Sequence, residues 1–185
     1  MTTEVKFDFR KRLAALRRNR ERGPKLIAHA LDRAADSAKA TIARGISDDI
    51  KASVTSVKEQ IRVTRDRDVN PQRQTRNFYA NAKRIPLIDF RARGREPSLG
   101  KGRGVTARTK TGRYPRAFIA TMKSGHRGVF QRNPGAKRLG IYELDVVSIA
   151  HVFPKHAPAG VERAREQLAK NLAANLRFLS GSAAA

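Results

Sequence analysis

Cysteine and tryptophan are absent from the 185-residue chain. Without thiols there is neither a disulfide framework nor a thiolate metal site to hold the fold together. Acidic residues are scarce: 16 Asp and Glu stand against 40 Lys and Arg, a formal charge of +24. Those sixteen are scattered, and nothing among them resembles the positioned carboxylates of acid–base catalysis or of a metal-dependent hydrolase. Long apolar runs are also missing, none approaching the ~20 residues that span a bilayer. The opening Met1-Thr2-Thr3-Glu4-Val5-Lys6 lacks the charged-then-apolar order of a secretory signal. These absences predict a cytoplasmically made, non-enzymatic protein with no membrane, metal or cofactor.

What the chain has is arginine, which supplies 27 of its 40 cations. The guanidinium holds carboxylates and phosphates through a planar two-pronged fork, so an arginine-led excess points to organised anion contacts. Self-repulsion at this charge predicts a neutralising partner, either nucleic acid or an acidic protein surface. The hydrophobic fraction of 39% suffices for one good core or two small ones.

Along the chain, residues 1–23 form a basic arm. Within it Phe9, Leu13 and Leu16 stand at helical spacing among Arg10, Lys11, Arg12, Arg17, Arg18, Arg20 and Arg22. From Pro24 to about Arg44, Ile27, Leu31, Ala34, Ala35, Ala38 and Ile42 recur at three- and four-residue steps, an amphipathic helix with Gly45 as its stop. A second helical piece is read from Asp48 to Arg62, and residues 64–84 as an irregular basic connection. Strands are expected at residues 85–93, 105–108, 114–122 (a strand or a short turn leading into one), 129–132 and 142–152, with turns at Lys123–Gly128 and Asn133-Pro134-Gly135. A final helix spans about Ala159 to Leu179, and Ser180 to Ala185 form a small-residue tail. The fold class is therefore α+β: helices, a small mainly antiparallel sheet, then a helix, in a single domain over 24–179.

Two features invite chemistry. The run Gly100-Lys101-Gly102-Arg103-Gly104 lacks the Lys-Ser/Thr pair and following helix of a nucleotide-binding loop, and is read as a flexible basic hairpin tip. The histidines, His29, His126, His151 and His156, show no metalloenzyme spacing and read as surface or turn residues. The eleven cations between Lys83 and Arg116 are opposed only by Asp89 and Glu96. Within that stretch Arg91, Arg93, Arg95, Lys101, Arg103, Arg108, Lys110 and Arg113 are the candidate anion- or partner-binding residues. Phe118, Phe130, Tyr142 and Phe153 sit at positions suited to a core, so no platform for stacking bases is expected, and no helix-turn-helix spacing suggests base reading. Contact with DNA, if made, is non-specific.

The order Ile85-Pro86-Leu87-Ile88, a Gly-rich turn, Ala117-Phe118-Ile119-Ala120 with Met122, Ser124-Gly125-His126, Val129-Phe130 with Arg132, and Leu144-Asp145-Val146-Val147-Ser148-Ile149 before a terminal helix resembles the minor tail protein Z family of lambda-like phages. The resemblance covers most of residues 24–179. It implies a structural virion protein of the tail or head–tail junction that acts in tail completion. Its partners would be other tail and neck proteins, and it would form a homo-oligomeric ring, six-fold by analogy with a tail tube. It implies no catalytic residue. The competing reading, a ribosomal- or nucleoid-like nucleic-acid-binding protein, rests on charge alone. Such proteins carry basic extensions on a compact domain, whereas here the charge also lies within the sheet region.

Overall fold

A computed structural model describes residues 2–4, 22–65, 74–96, 101–134 and 140–181. In chain order its elements are β1 (Thr2–Glu4), α1 (Gly23–Ile50), α2 (Val54–Gln60), β2 (Ile61–Arg65), β3 (Arg76–Ala80), β4 (Arg84–Pro86), β5 (Arg93–Glu96), β6 (Lys101–Thr106), β7 (Arg113–Tyr114), β8 (Ala117–Thr121), β9 (Arg127–Arg132), β10 (Ile141–Glu143), β11 (Asp145–Ser148) and α3 (Phe153–Gly181). Long helices lie toward the two ends of the chain, and every strand pairing among the described residues is antiparallel. The fold is α+β, as the sequence pattern implies. The chain divides into two compact units: residues 1–45, 61–80 and 152–185 form one, and residues 46–60 and 81–151 the other.

In the first unit α1 buries Ile27, Ala30, Leu31, Ala34, Ala35, Ala38 and Ile42, and α3 buries Phe153, Ala157, Ala164, Leu168 and Leu172. Small residues let the two helices approach closely. A side chain at Gly160 would overlap Ile42 and the Ala38 carbonyl, and one at Gly45 would meet the His156 ring. Polar side chains then tie the pair together. Asn171 Nδ2 donates to the Ala30 carbonyl at 3.3 Å, and Asn175 Nδ2 to that of Leu26 at 2.9 Å. Asn175 Oδ1 in turn accepts from Arg33 at 3.3 Å. The sheet of this unit runs β1-β3-β2.

Both helices are longer than their sequence signals. α1 runs through Gly45, where the glycine makes room for His156 rather than stopping the helix. It ends at Ile50, with Lys51 in the left-handed region (φ 63°), a turn that costs a non-glycine residue ~1–2 kcal/mol. Ser47 Oγ donates to the Ala52 carbonyl at 2.7 Å and closes that end. α3 begins at Phe153 rather than near Ala159 and carries Pro158 inside it. Burial of Phe153 and Ala157 and the fit of Gly160 hold these first turns despite the missing proline N–H. Residues 48–62 split between the end of α1, α2 and the start of β2. The connection read as irregular over 64–84 contains β3 and the start of β4.

In the second unit the described strands form a β10-β9-β8 sheet, a β5-β6-β7 sheet and a β11-β4 pair. Leu87, Val105, Ala117, Ile119 and Val129 make a common core, lined by Ile88, Ala92, Ala107, Tyr114, Leu144 and Val146. The strand expected at residues 85–93 is interrupted. After β4, Leu87–Phe90 form a 3-10 turn that buries Leu87 and Phe90, and Arg91 leaves it with φ 54°. Residues 142–152 divide in the same way into β10, β11 and a second 3-10 turn, Ile149–His151. The helical reading of residues 6–22 lies outside the described residues except at Arg22.

The glycine notch sets a test of sign. Alanine is the better helix former by ~1 kcal/mol, but Gly160→Ala forces a methyl against Ile42. The substitution is expected to destabilise the first unit by about 1–3 kcal/mol, read as a lowered denaturant midpoint. A midpoint raised by the helix-propensity gain contradicts the close α1–α3 contact.

A candidate anion-binding face

The β5-β6-β7 sheet displays the arginine cluster in the second unit. Register places Arg93 opposite Thr106, and Thr106 opposite Arg113. The next row, Gly94, Val105 and Tyr114, faces the other way, with Val105 buried in the core. Alternation across the pleat therefore puts the Arg93–Thr106–Arg113 row on the outward face. All three residues are exposed, and Thr106 Oγ1 donates to the Arg93 carbonyl at 3.2 Å.

The glycines between these arginines are structural. Arg95 alone spans the gap between two paired positions on β5, while Gly102, Arg103 and Gly104 span it on β6, so β6 is bulged. Gly94 (φ 149°) lies against the Gly104 backbone, and a Cβ on Gly104 (φ 68°) would stand 2.7 Å from the Cα of Pro115. The run read as a flexible hairpin tip is, from Lys101 onward, a bulged strand pinned by close backbone contacts. The tip itself, residues 97–100, lies outside the described residues.

The turn from β6 to β7 is also fixed. Ala107 N–H donates to the Gly112 carbonyl at 2.9 Å, Gly112 N–H to Thr109 Oγ1 at 3.2 Å, and Thr109 Oγ1 lies 2.9 Å from the Tyr114 hydroxyl. Arg108 N–H donates to the Phe90 carbonyl at 2.8 Å, bringing the backbone of Arg108 beside that of Arg91. The structure thus gathers Arg91, Arg93, Arg108, Lys110 and Arg113 around one sheet and its turn, all exposed, with exposed Arg95 two residues along β5 from Arg93. Lys101 and Arg103 lie on β6. None of Arg91, Arg93, Arg95, Arg108, Lys110 and Arg113 joins a carboxylate among the described residues.

Two acids of this unit are paired away from these residues. Glu96 pairs with Arg127. Glu143 Oε1 lies 2.9 Å from His126 Nε2. Asp89 is half-buried, and its backbone carbonyl, not its carboxylate, accepts the Ser53 N–H at 2.8 Å. Sequence reasoning passed over Thr106, whose place becomes visible only through register. It also assigned the aromatics too simply. Phe153 and Phe130 are buried as expected, while Phe118 is half-buried and lies with Phe130 on the face of their sheet opposite Ile119 and Val129. Their rings are 6.3 Å apart, with Arg132 5.9 Å above Phe118 and His126 edge-on to Phe130. Tyr142 is 41% exposed. Among the described residues no group of three or more His, Cys, Asp or Glu side chains is placed to hold a metal, and no helix is long and apolar enough to cross a membrane.

A family model of the prophage minor tail protein Z matches residues 11–180. The chain belongs to that family. Its role is that of a structural phage tail protein, which places it in the virion tail among other phage proteins. The match takes in most of the basic segment before Gly23, which the residue patterns had left outside the resemblance. Comparison with curated proteins and with solved structures gives no match.

An exposed cationic face with no carboxylate partner among the described residues stores repulsion that added salt relieves. Raising sodium chloride from about 0.05 to about 0.5 M is expected to raise the thermal midpoint. Arg93→Gln, Arg108→Gln and Arg113→Gln together should leave the low-salt midpoint unchanged or higher. A midpoint that falls with salt, or collapses in the triple variant, means that these arginines hold the fold rather than await a partner.

Proposed function

We propose that this tail protein acts in tail completion at the head–tail junction, docking through the β5-β6-β7 face onto the anionic surfaces it meets there, acidic neighbouring proteins or DNA. One observation carries the reading: six cations gathered around one sheet and its turn, exposed and joined to no carboxylate among the described residues. Apart from the glycine and threonine positions, the outward face offers nothing but charge, so its affinity is electrostatic and its partner is an anion. The copies act as a ring, six-fold to match a tail tube, since a wall around a conduit closes by rotation. Family membership favours this reading over a ribosomal- or nucleoid-like role.

Genetic complementation tests it. A prophage lacking the gene is supplied with the wild-type chain or with the Arg93, Arg108 and Arg113 to Gln variant. The variant is expected to accumulate as folded protein, yet lower the infectious titre by at least about tenfold, the loss that a docking step weakened by ~1.4 kcal/mol produces. A wild-type titre with the folded variant contradicts the docking role.

A further inference from the structure

We infer that the outward face of the β5-β6-β7 sheet takes the phosphate backbone of duplex DNA, without reading its sequence. The inference rests on the docking role proposed above and names its partner. Two partners fit a cationic face, and they differ in what else they require. A stable protein–protein interface has a centre rich in aromatic, Met and other apolar side chains, with charge kept to the rim. Here the centre is the row Arg93, Thr106 and Arg113, edged by Arg91, Arg95, Arg108 and Lys110. The large apolar groups of the same strands, Val105 and Tyr114, are on the core side. The exposed large hydrophobics among the described residues, Val54, Tyr142 and Phe178, lie on other elements. A phosphate backbone asks for no apolar centre, only cations and hydroxyls at suitable spacing.

The spacing suits it. Adjacent strands lie ~4.8 Å apart, so the backbones at Arg93 and Arg113, with β6 between them, are ~10 Å apart. Two long guanidinium side chains from that separation reach phosphates on either side of a minor groove ~6 Å wide. The threonine hydroxyl lies between them. The bulge and the hydrogen-bonded turn hold the backbone of this array without help from a ligand. The face does not read bases: among the described residues its arginines stand on strands and a turn, and the row of Arg93, Thr106 and Arg113 holds no aromatic side chain.

The test uses the full-length chain and random-sequence duplex DNA, with binding measured across a salt series. The expected result is binding that falls steeply with salt. Arg93→Gln, Arg108→Gln and Arg113→Gln together should flatten the slope of log K against log salt by about 2–3, since each lost phosphate contact removes ~0.9. A control with the same charge loss elsewhere, Lys58→Gln, Lys123→Gln and Lys170→Gln, is expected to change the slope by less than about 1. Equal flattening by both variants overturns the inference, because binding would then follow net charge and not this face. A wild-type chain that binds no duplex overturns it too. If such a chain still loses complementation when the three arginines are replaced, the docking role survives and its partner is an acidic protein. Flattened DNA binding together with unimpaired complementation supports the DNA contact and removes its role in docking.

Discussion

Forty cationic side chains share this chain with sixteen carboxylates. Paired one to one, that leaves twenty-four cations unmatched, and the fold is arranged around the shortage. Three of the described acids hold a basic side chain beside a strand. Asp32 accepts from the Nε of Arg76, which is almost wholly buried, at 2.8 Å. Glu96 holds Arg127 at the start of β9, and Glu143 meets His126 beside the same strand. A buried arginine without a partner would be costly, whereas an exposed one is solvated and merely repels its neighbours. Among the described residues one ion pair holds a buried cation, two lie at the start of β9 and two lie along α3, while none reaches the outward face of the β5-β6-β7 sheet, which leaves its arginines available to another molecule.

The same shortage explains which parts of the fold could be read from the sequence. The α1 face was legible because Ile27, Leu31, Ala34, Ala38 and Ile42 repeat at helical steps. β8 and β9 were legible from their β-branched and aromatic residues between turns. β3 was not, since one of its two buried positions is Arg76 rather than an apolar residue, and a charge at an inward position erases the alternation that marks a half-buried strand. Its partner acid, Asp32, is forty-four residues away in α1, beyond the range of any local pattern.

Glycine and proline misled for a related reason. Gly45 and Pro158 carry the usual signs of a helix end, yet both lie inside helices, because contact between α1 and α3 outweighs local preference there. In the Gly-rich run, by contrast, Gly104 is required by backbone packed within van der Waals distance of Pro115. As for the site, sequence density picked out the arginines, but which of them share a face follows from strand register and from the bulge in β6. The family match over residues 11–180 adds the setting, a virion tail; the anion that meets the face is argued from charge and geometry.

If this face docks, it is bare in the isolated protein and covered in the assembled tail. Arginine-selective modification with phenylglyoxal, located residue by residue by mass spectrometry, compares the free chain with intact particles. Arg93, Arg108 and Arg113 are expected to be modified readily in the free protein and strongly protected in particles, while half-buried Arg163 on α3, already paired with Glu166, changes much less. Equal modification of Arg93, Arg108 and Arg113 in both preparations would contradict it.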